Sequence, residues 1–234
     1  HAFGSAWNGE LPDTFGDLLE LRISGQIVAP SNLRTPSAAD RPYAGSLALG
    51  VHTHFQRQSL EYAIGAEVVA IGPQTHLDEF QDALHDALSI PRPSNAVLAG
   101  QLGNAIHGSF VAEVGRSHSG AVRGTLRPYL EARAGEETLV RAGVDWTIGS
   151  VGQGELLVRD GVSGHRYRVI QNNTPGTSFV LGADVAHVLD SIYFPASSGV
   201  VMEDTRLRGR ICVHLQNKRS SLFYGSTWLS EEFK

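Results

Sequence analysis

Asp78, Gln81, Asp82 and His85 recur at three- and four-residue spacings, which on a helix places all of them on one face. A histidine in that setting can do chemistry. An acidic neighbour favours the imidazolium and can fix the ring tautomer, and an imidazole so held takes a proton from water near neutral pH. The same residues also suit the solvated polar side of a surface helix, and spacing alone does not choose between the two. His52 and His54 share a strand face, as zinc ligands sometimes do, but no third ligand stands at a usable spacing, so both read as lumen or interface residues. There is no G-x-S-x-G elbow and no phosphate-binding glycine loop. Asn172-Asn173-Thr174 matches an N-x-[ST] acceptor and reads as turn composition.

The elements that must position these residues follow from two periods. Leu77, Phe80, Leu84, Ala87 and Leu88 form one apolar stripe, with Pro73 near its start and Pro91 and Pro93 beyond its end. They predict a single short amphipathic helix within 73–90. Nearly everything else alternates with period two. Leu19, Leu21 and Ile23 oppose Glu20, Arg22 and Ser24, and Leu47, Leu49, Val51 and Phe55 oppose Ser46, His52 and His54. Tyr62, Ile64, Ala66 and Val68 oppose Glu61 and Glu67, and Val122, Leu126, Leu130 and Ala132 oppose Arg123, Arg127, Glu131 and Arg133. Ala142, Val144, Trp146 and Ile148 oppose Arg141, Asp145 and Thr147. Leu207, Ile211, Val213 and Leu215 oppose Arg206, Arg208, Arg210, His214 and Gln216. Further strands are expected near 178–190 and 220–230, and the Gly-rich polar stretch 150–177 reads as a long loop on one rim with a short hairpin.

These runs exceed the roughly 5–6 residues of an average strand and match the ~9–11 that cross a bilayer at a tilt. A face so rich in arginine and glutamate makes a poor dry core, whereas charges against water in a lumen and apolar residues against lipid reconcile the pattern. The expectation is an all-β protein, an antiparallel transmembrane β-barrel with one amphipathic helix at its rim. A soluble lipocalin-like barrel with its charges outside would alternate in the same way. Among the 234 residues, 41% are hydrophobic and 18% charged, and the net charge of −5 supplies no basic field for nucleic acid. The lone Cys212 forms no intramolecular disulfide. Neither end reads as a natural terminus, so 1–234 is expected to be a single barrel domain truncated at both ends.

Three blocks together carry a resemblance: "SNLRTPSAADRPYAGSLALG" (31–50), "IGPQTHLDEFQDALHDAL" (71–88) and "GQLGN" (100–104). They resemble the LpxR family of outer-membrane lipid A 3'-O-deacylases, most specifically through Asp40-Arg41-Pro42-Tyr43-Ala44-Gly45. The resemblance implies a barrel of about twelve strands, of which about ten are legible here. It implies a calcium-dependent ester hydrolase of the Gram-negative outer membrane that acts on lipid A, with lipopolysaccharide and outer-membrane lipids as partners. It assigns His85 the role of general base and Arg34 that of a contact to substrate or oxyanion. Asn32, Gln81, Asp40, Arg41 and Tyr43 are assigned to substrate binding or support, and no metal ligands are assigned.

Three departures stand out. Leu33 replaces a lysine that precedes the arginine, and no acidic residue follows the helix among Pro91, Arg92 and Pro93. The family's N-terminal Asn-Asp pair and a hydroxyl residue on the next strand are expected to precede His1. The competing reading is a non-catalytic barrel of the same fold, serving as scaffold, binding protein or small pore.

Overall fold

A computed structural model describes residues 2–4, 7–121, 124–172, 174–217 and 219–234. Val122, Arg123 and Asn173, used in the sequence reading, lie outside the described residues. The strands in chain order are β1 (Ala2–Gly4), β2 (Leu18–Val28), β3 (Ala44–Arg57), β4 (Leu60–Ile71), β5 (Ala105–Gly115), β6 (His118–Ala121), β7 (Gly124–Ala134), β8 (Glu137–Ile148), β9 (Leu156–Arg159), β10 (Arg166–Ile170), β11 (Gly176–Ser191), β12 (Thr205–Gln216) and β13 (Ser221–Leu229). Two helices, α1 (Leu77–Leu88) and α2 (Asn95–Ala99), lie between β4 and β5.

All strands but three follow one antiparallel path, β1-β2-β3-β4-β5-β7-β8-β11-β12-β13, with β6 paired to β7 and β9 to β10 in a separate hairpin. Every neighbour on the path is antiparallel and, for the long strands, nearest in sequence or separated by one excursion, as in an up-and-down barrel. The alternation predicted from sequence sorts the faces as expected. Ile23, Leu49, Val68, Ile106, Phe110, Leu130 and Ile211 are more than half exposed on the outer wall, whereas Glu20, Glu113, Arg127, Glu131, Asp145, Asp184 and Arg210 are buried within. Apolar outside and charged inside is the inversion that a lipid-facing barrel requires.

The interior is polar, as expected, and crossed by ion pairs. Inward charges pair with one another. Arg210 Nη2 lies 2.7 Å from Asp145 Oδ1, Arg127 Nη1 2.7 Å from Glu113 Oε1, and Arg141 Nη1 2.6 Å from Glu131 Oε1. His52 and His54 join this network through Glu67 at 2.7 Å and Glu20 at 2.8 Å, so they serve as lumen residues. The stretch 150–177 departs from the rim loop expected. Its β9–β10 hairpin does not stay at the rim but folds into the barrel, where Arg159 bonds Glu113 (2.6 Å) and Asp145 (2.9 Å) over the face of Tyr129 at 3.6 Å. Leu156 and Val158 of the hairpin pack with Leu18, Trp7 and Leu11. The hairpin carries arginines into a barrel lined with carboxylates, and mutual pairing lowers the desolvation cost that each would meet alone. Two interior chambers, about 300 Å³ and about 500 Å³, share Arg22, Arg133 and Arg159 in their linings, so an arginine partition stands between them.

Candidate active site

At one rim, the ends of β2 and β4 and the starts of β3 and β5 hold the segment that contains α1. Gly72 closes β4 with φ 93° and ψ −166°, a region essentially confined to glycine, and its N–H donates to Gly45 O at 2.9 Å. A short 3₁₀ turn, Pro73–Thr75, follows, and His76 at φ 53° breaks it from α1. The helix therefore begins at Leu77, four residues later than Pro73 led one to expect, and the left-handed Ser89 ends it before Pro91.

The D-R-P-Y-A-G block builds the seat for this segment. Asp40 Oδ2 accepts from Ser31 N at 2.6 Å, and Arg41 donates to Ala29 O at 3.0 Å and pairs with Glu232, so both hold the 29–41 loop. Tyr43 is 1% exposed, and its hydroxyl donates to Gln81 Oε1 at 2.7 Å. A Cβ on Gly45 would stand 2.7 Å from Thr75 Oγ1 and 3.0 Å from Leu77 Cβ; this glycine lets the helix rest on the outer face of β3. The G-P and G-Q-L-G-N blocks meet in the same place, because Gln74 N donates to Asn104 Oδ1 at 2.8 Å and Gly72 abuts the Gly103 backbone. At Gly72 an added Cβ would lie 2.7 Å from Gly103 C and O. Gly72→Ala is expected to cost roughly 1–3 kcal/mol locally through strain at this φ/ψ. Limited proteolysis should then cut within 73–104 faster than in wild type while the barrel keeps its heat-modifiable mobility, and equal cleavage would show that this contact does not hold the helix.

The orientation of α1 reverses ordinary amphipathic packing. Phe80, Leu84 and Leu88 point away from the protein at 62%, 45% and 58% exposure, while Asp78, Gln81, Asp82 and His85 are all partly buried. The apolar stripe continues the apolar outer wall, and the polar face turns toward the barrel. Within that face His85 Nδ1 lies 2.8 Å from Pro91 O. A carbonyl only accepts, so Nδ1 carries the proton and Nε2 is left as the basic nitrogen. The orienting group is thus the Pro91 backbone and not an aspartate, as the helical spacing had led one to expect. An ion pair between Asp86 and Arg92 closes the same turn. Ser94 N then donates to Leu33 O at 2.8 Å, which ties the Asn32–Arg34 loop beside the segment that orients His85.

Two comparisons bear on this arrangement. The family model described as "Outer membrane protein LpxR" matches residues 7–234. The chain belongs to the LpxR family. LpxR from Salmonella typhimurium, a solved structure, superposes with a TM-score of 0.81 at 15% identity over 100% of this chain and 81% of that one. A comparison with curated protein sequences gives no match. LpxR membership makes the chain a β-barrel protein of the Gram-negative outer membrane that modifies lipid A.

Of the residues that the LpxR resemblance assigned, Tyr43, Gln81 and His85 come together, the first two in direct contact. Asn32 makes a turn, with Oδ1 accepting from Arg34 N at 2.8 Å and Thr35 N at 3.0 Å, and it leaves Arg34 exposed in the loop. The sequence reading missed the Pro91 carbonyl and the Leu33–Ser94 tether. Only the P-R-P run after the helix signals a chain that turns back on itself. Asp82 keeps one buried carboxylate oxygen without a hydrogen-bond partner among the described residues. Even so, among the described residues no group of three or more His, Cys, Asp or Glu side chains converges as a metal needs.

Proposed function

We propose that this LpxR-family protein hydrolyses the ester that links an acyl chain to the 3' position of lipid A, with His85 as the general base. The observation that carries the proposal is the Nδ1 contact to the Pro91 carbonyl, which commits Nε2 to proton acceptance. Nε2 takes a proton from water as the oxygen attacks the ester carbonyl carbon. The tetrahedral oxyanion then collapses, the imidazolium returns its proton to the departing sugar oxygen, and the products are a fatty acid and a free 3'-hydroxyl.

The surroundings suit such a substrate. The outward stripe of Phe80, Leu84 and Leu88 and the apolar wall of Ile23 and Leu49 would receive acyl chains beside α1. Arg34, exposed on the tethered loop, supplies a charged donor for a phosphate or for the developing oxyanion. Calcium is proposed on the resemblance alone, and no step of this mechanism is assigned to it.

The full chain, purified in detergent and incubated with lipid A, is expected to release the 3' ester-linked acyl chain while the amide-linked chains stay, as read by mass spectrometry. The same assay with a chelator, then with calcium restored, tests the metal. Lipid A left intact under all these conditions would favour the non-catalytic barrel, a reading that draws on Leu33 and on the missing acid after the helix. The ion-paired interior and the inserted hairpin argue against a small pore.

A further inference from the structure

Tyr43 is a buried phenol immediately ahead of β3, and among the described residues its hydroxyl bonds the side-chain amide of Gln81 at 2.7 Å. Its backbone is fixed as well, since Tyr43 O accepts from Leu102 N at 2.9 Å. Burial, with the Asp78 and Asp82 carboxylates nearby, pushes the phenol up to about 12, so it stays protonated and donates its hydrogen. The acceptor is then the amide oxygen. An amide is planar, with oxygen and nitrogen on opposite sides of its terminal carbon, so capture of Oε1 leaves the two Nε2–H donors aimed away from Tyr43. Gln81 and His85 are one helical turn apart on the same face, with Cβ atoms about 5–6 Å apart. The Gln81 amide and the His85 ring are therefore neighbours on the face turned toward the barrel.

We infer that Tyr43 is a positioning residue, which locks the Gln81 amide so that its N–H donates to the carbonyl oxygen of the ester as negative charge develops there. The inference rests on the proposed hydrolysis and adds to it a donor for the oxyanion and a reason for the buried tyrosine. Without the Tyr43 hydroxyl the amide can turn and present its oxygen, which repels the oxyanion. Gln81 would be the catalytic donor, and Tyr43 would act only through it.

The test compares wild type, Tyr43→Phe, Gln81→Ala, the double variant and His85→Ala on lipid A in detergent. Loss of an oxyanion donor costs about 10²–10³ in kcat, so Gln81→Ala is expected in that range and Tyr43→Phe at roughly 10- to 100-fold. KM should stay within about twofold, because a transition-state contact is lost and not ground-state binding. The pH dependence of kcat should not move, and the double variant should be no slower than Gln81→Ala alone. Wild-type kcat in Tyr43→Phe, or losses that multiply in the double variant, would overturn the inference while an inactive His85→Ala left the hydrolase reading standing.

A readout independent of turnover is the side-chain amide of Gln81 in an ¹⁵N-labelled sample. A resolved, exchange-protected pair is expected in wild type and an averaged one in Tyr43→Phe. An unchanged amide pair in the variant overturns the inference whether or not the chain deacylates lipid A.

Discussion

Replacing His85 by alanine is expected to lower the rate of 3'-acyl release by about 10²- to 10⁴-fold, the range a positioned general base contributes. The cost to the fold should be small. His85 lies on a helix with no fully buried residue, and among the described residues its ring hydrogen-bonds Pro91 O alone. The loss should fall on kcat, since the imidazole touches water and not the acyl chain. Quantifying fatty acid released per minute by the wild type and by His85→Ala decides the matter. A variant that releases acid at the wild-type rate would remove His85 from the mechanism and hand the proton to another group.

The largest effect on stability is expected inside the barrel. Asp184, 6% exposed, accepts from Tyr129 Oη at 2.8 Å and Arg208 Nε at 3.0 Å, pairs with Arg210, and lies 3.2 Å from Arg141 Nε. Asp184→Ala leaves three buried guanidinium groups short of a counter-charge, and breaking such a buried pair costs about 3–5 kcal/mol. Urea unfolding in detergent, followed by the heat-modifiable band, should show that loss. Asp184→Asn keeps the shape and part of the hydrogen bonding, and should fall between wild type and alanine. An alanine variant as stable as wild type would mean that water, and not the ion network, satisfies the interior.

Much of the fold was legible because a strand that separates two media must alternate. Leu19 against Glu20, Ala142 against Arg141 and Leu207 against Arg208 each marked a strand, and their lengths marked a membrane wall. Less legible was the interior. Arginine and glutamate on one face look costly when each strand is considered alone, so water seemed necessary. Their partners sit on other strands and on the β9–β10 hairpin, far away in sequence, as Arg159 does from Glu113. The site was legible in part. His85 and Gln81 stood out by helical spacing, and Tyr43 by its block. The Pro91 carbonyl that orients His85 carries no side-chain signal.

By itself the sequence determined the periods: two along the strands, three to four along α1, and the glycines at 45 and 72 that permit a helix to sit against the wall. A period says that two faces differ; it does not say which medium each one meets. For α1 the tertiary structure decided that the polar face looks inward and the apolar stripe outward, the reverse of a helix on a water-soluble protein. The physical reason is the solvent. Beside a wall whose outside is apolar and whose inside is charged, Phe80, Leu84 and Leu88 gain by continuing the wall. Gln81 and His85 can then meet Tyr43 and the Pro91 carbonyl only on the inner side.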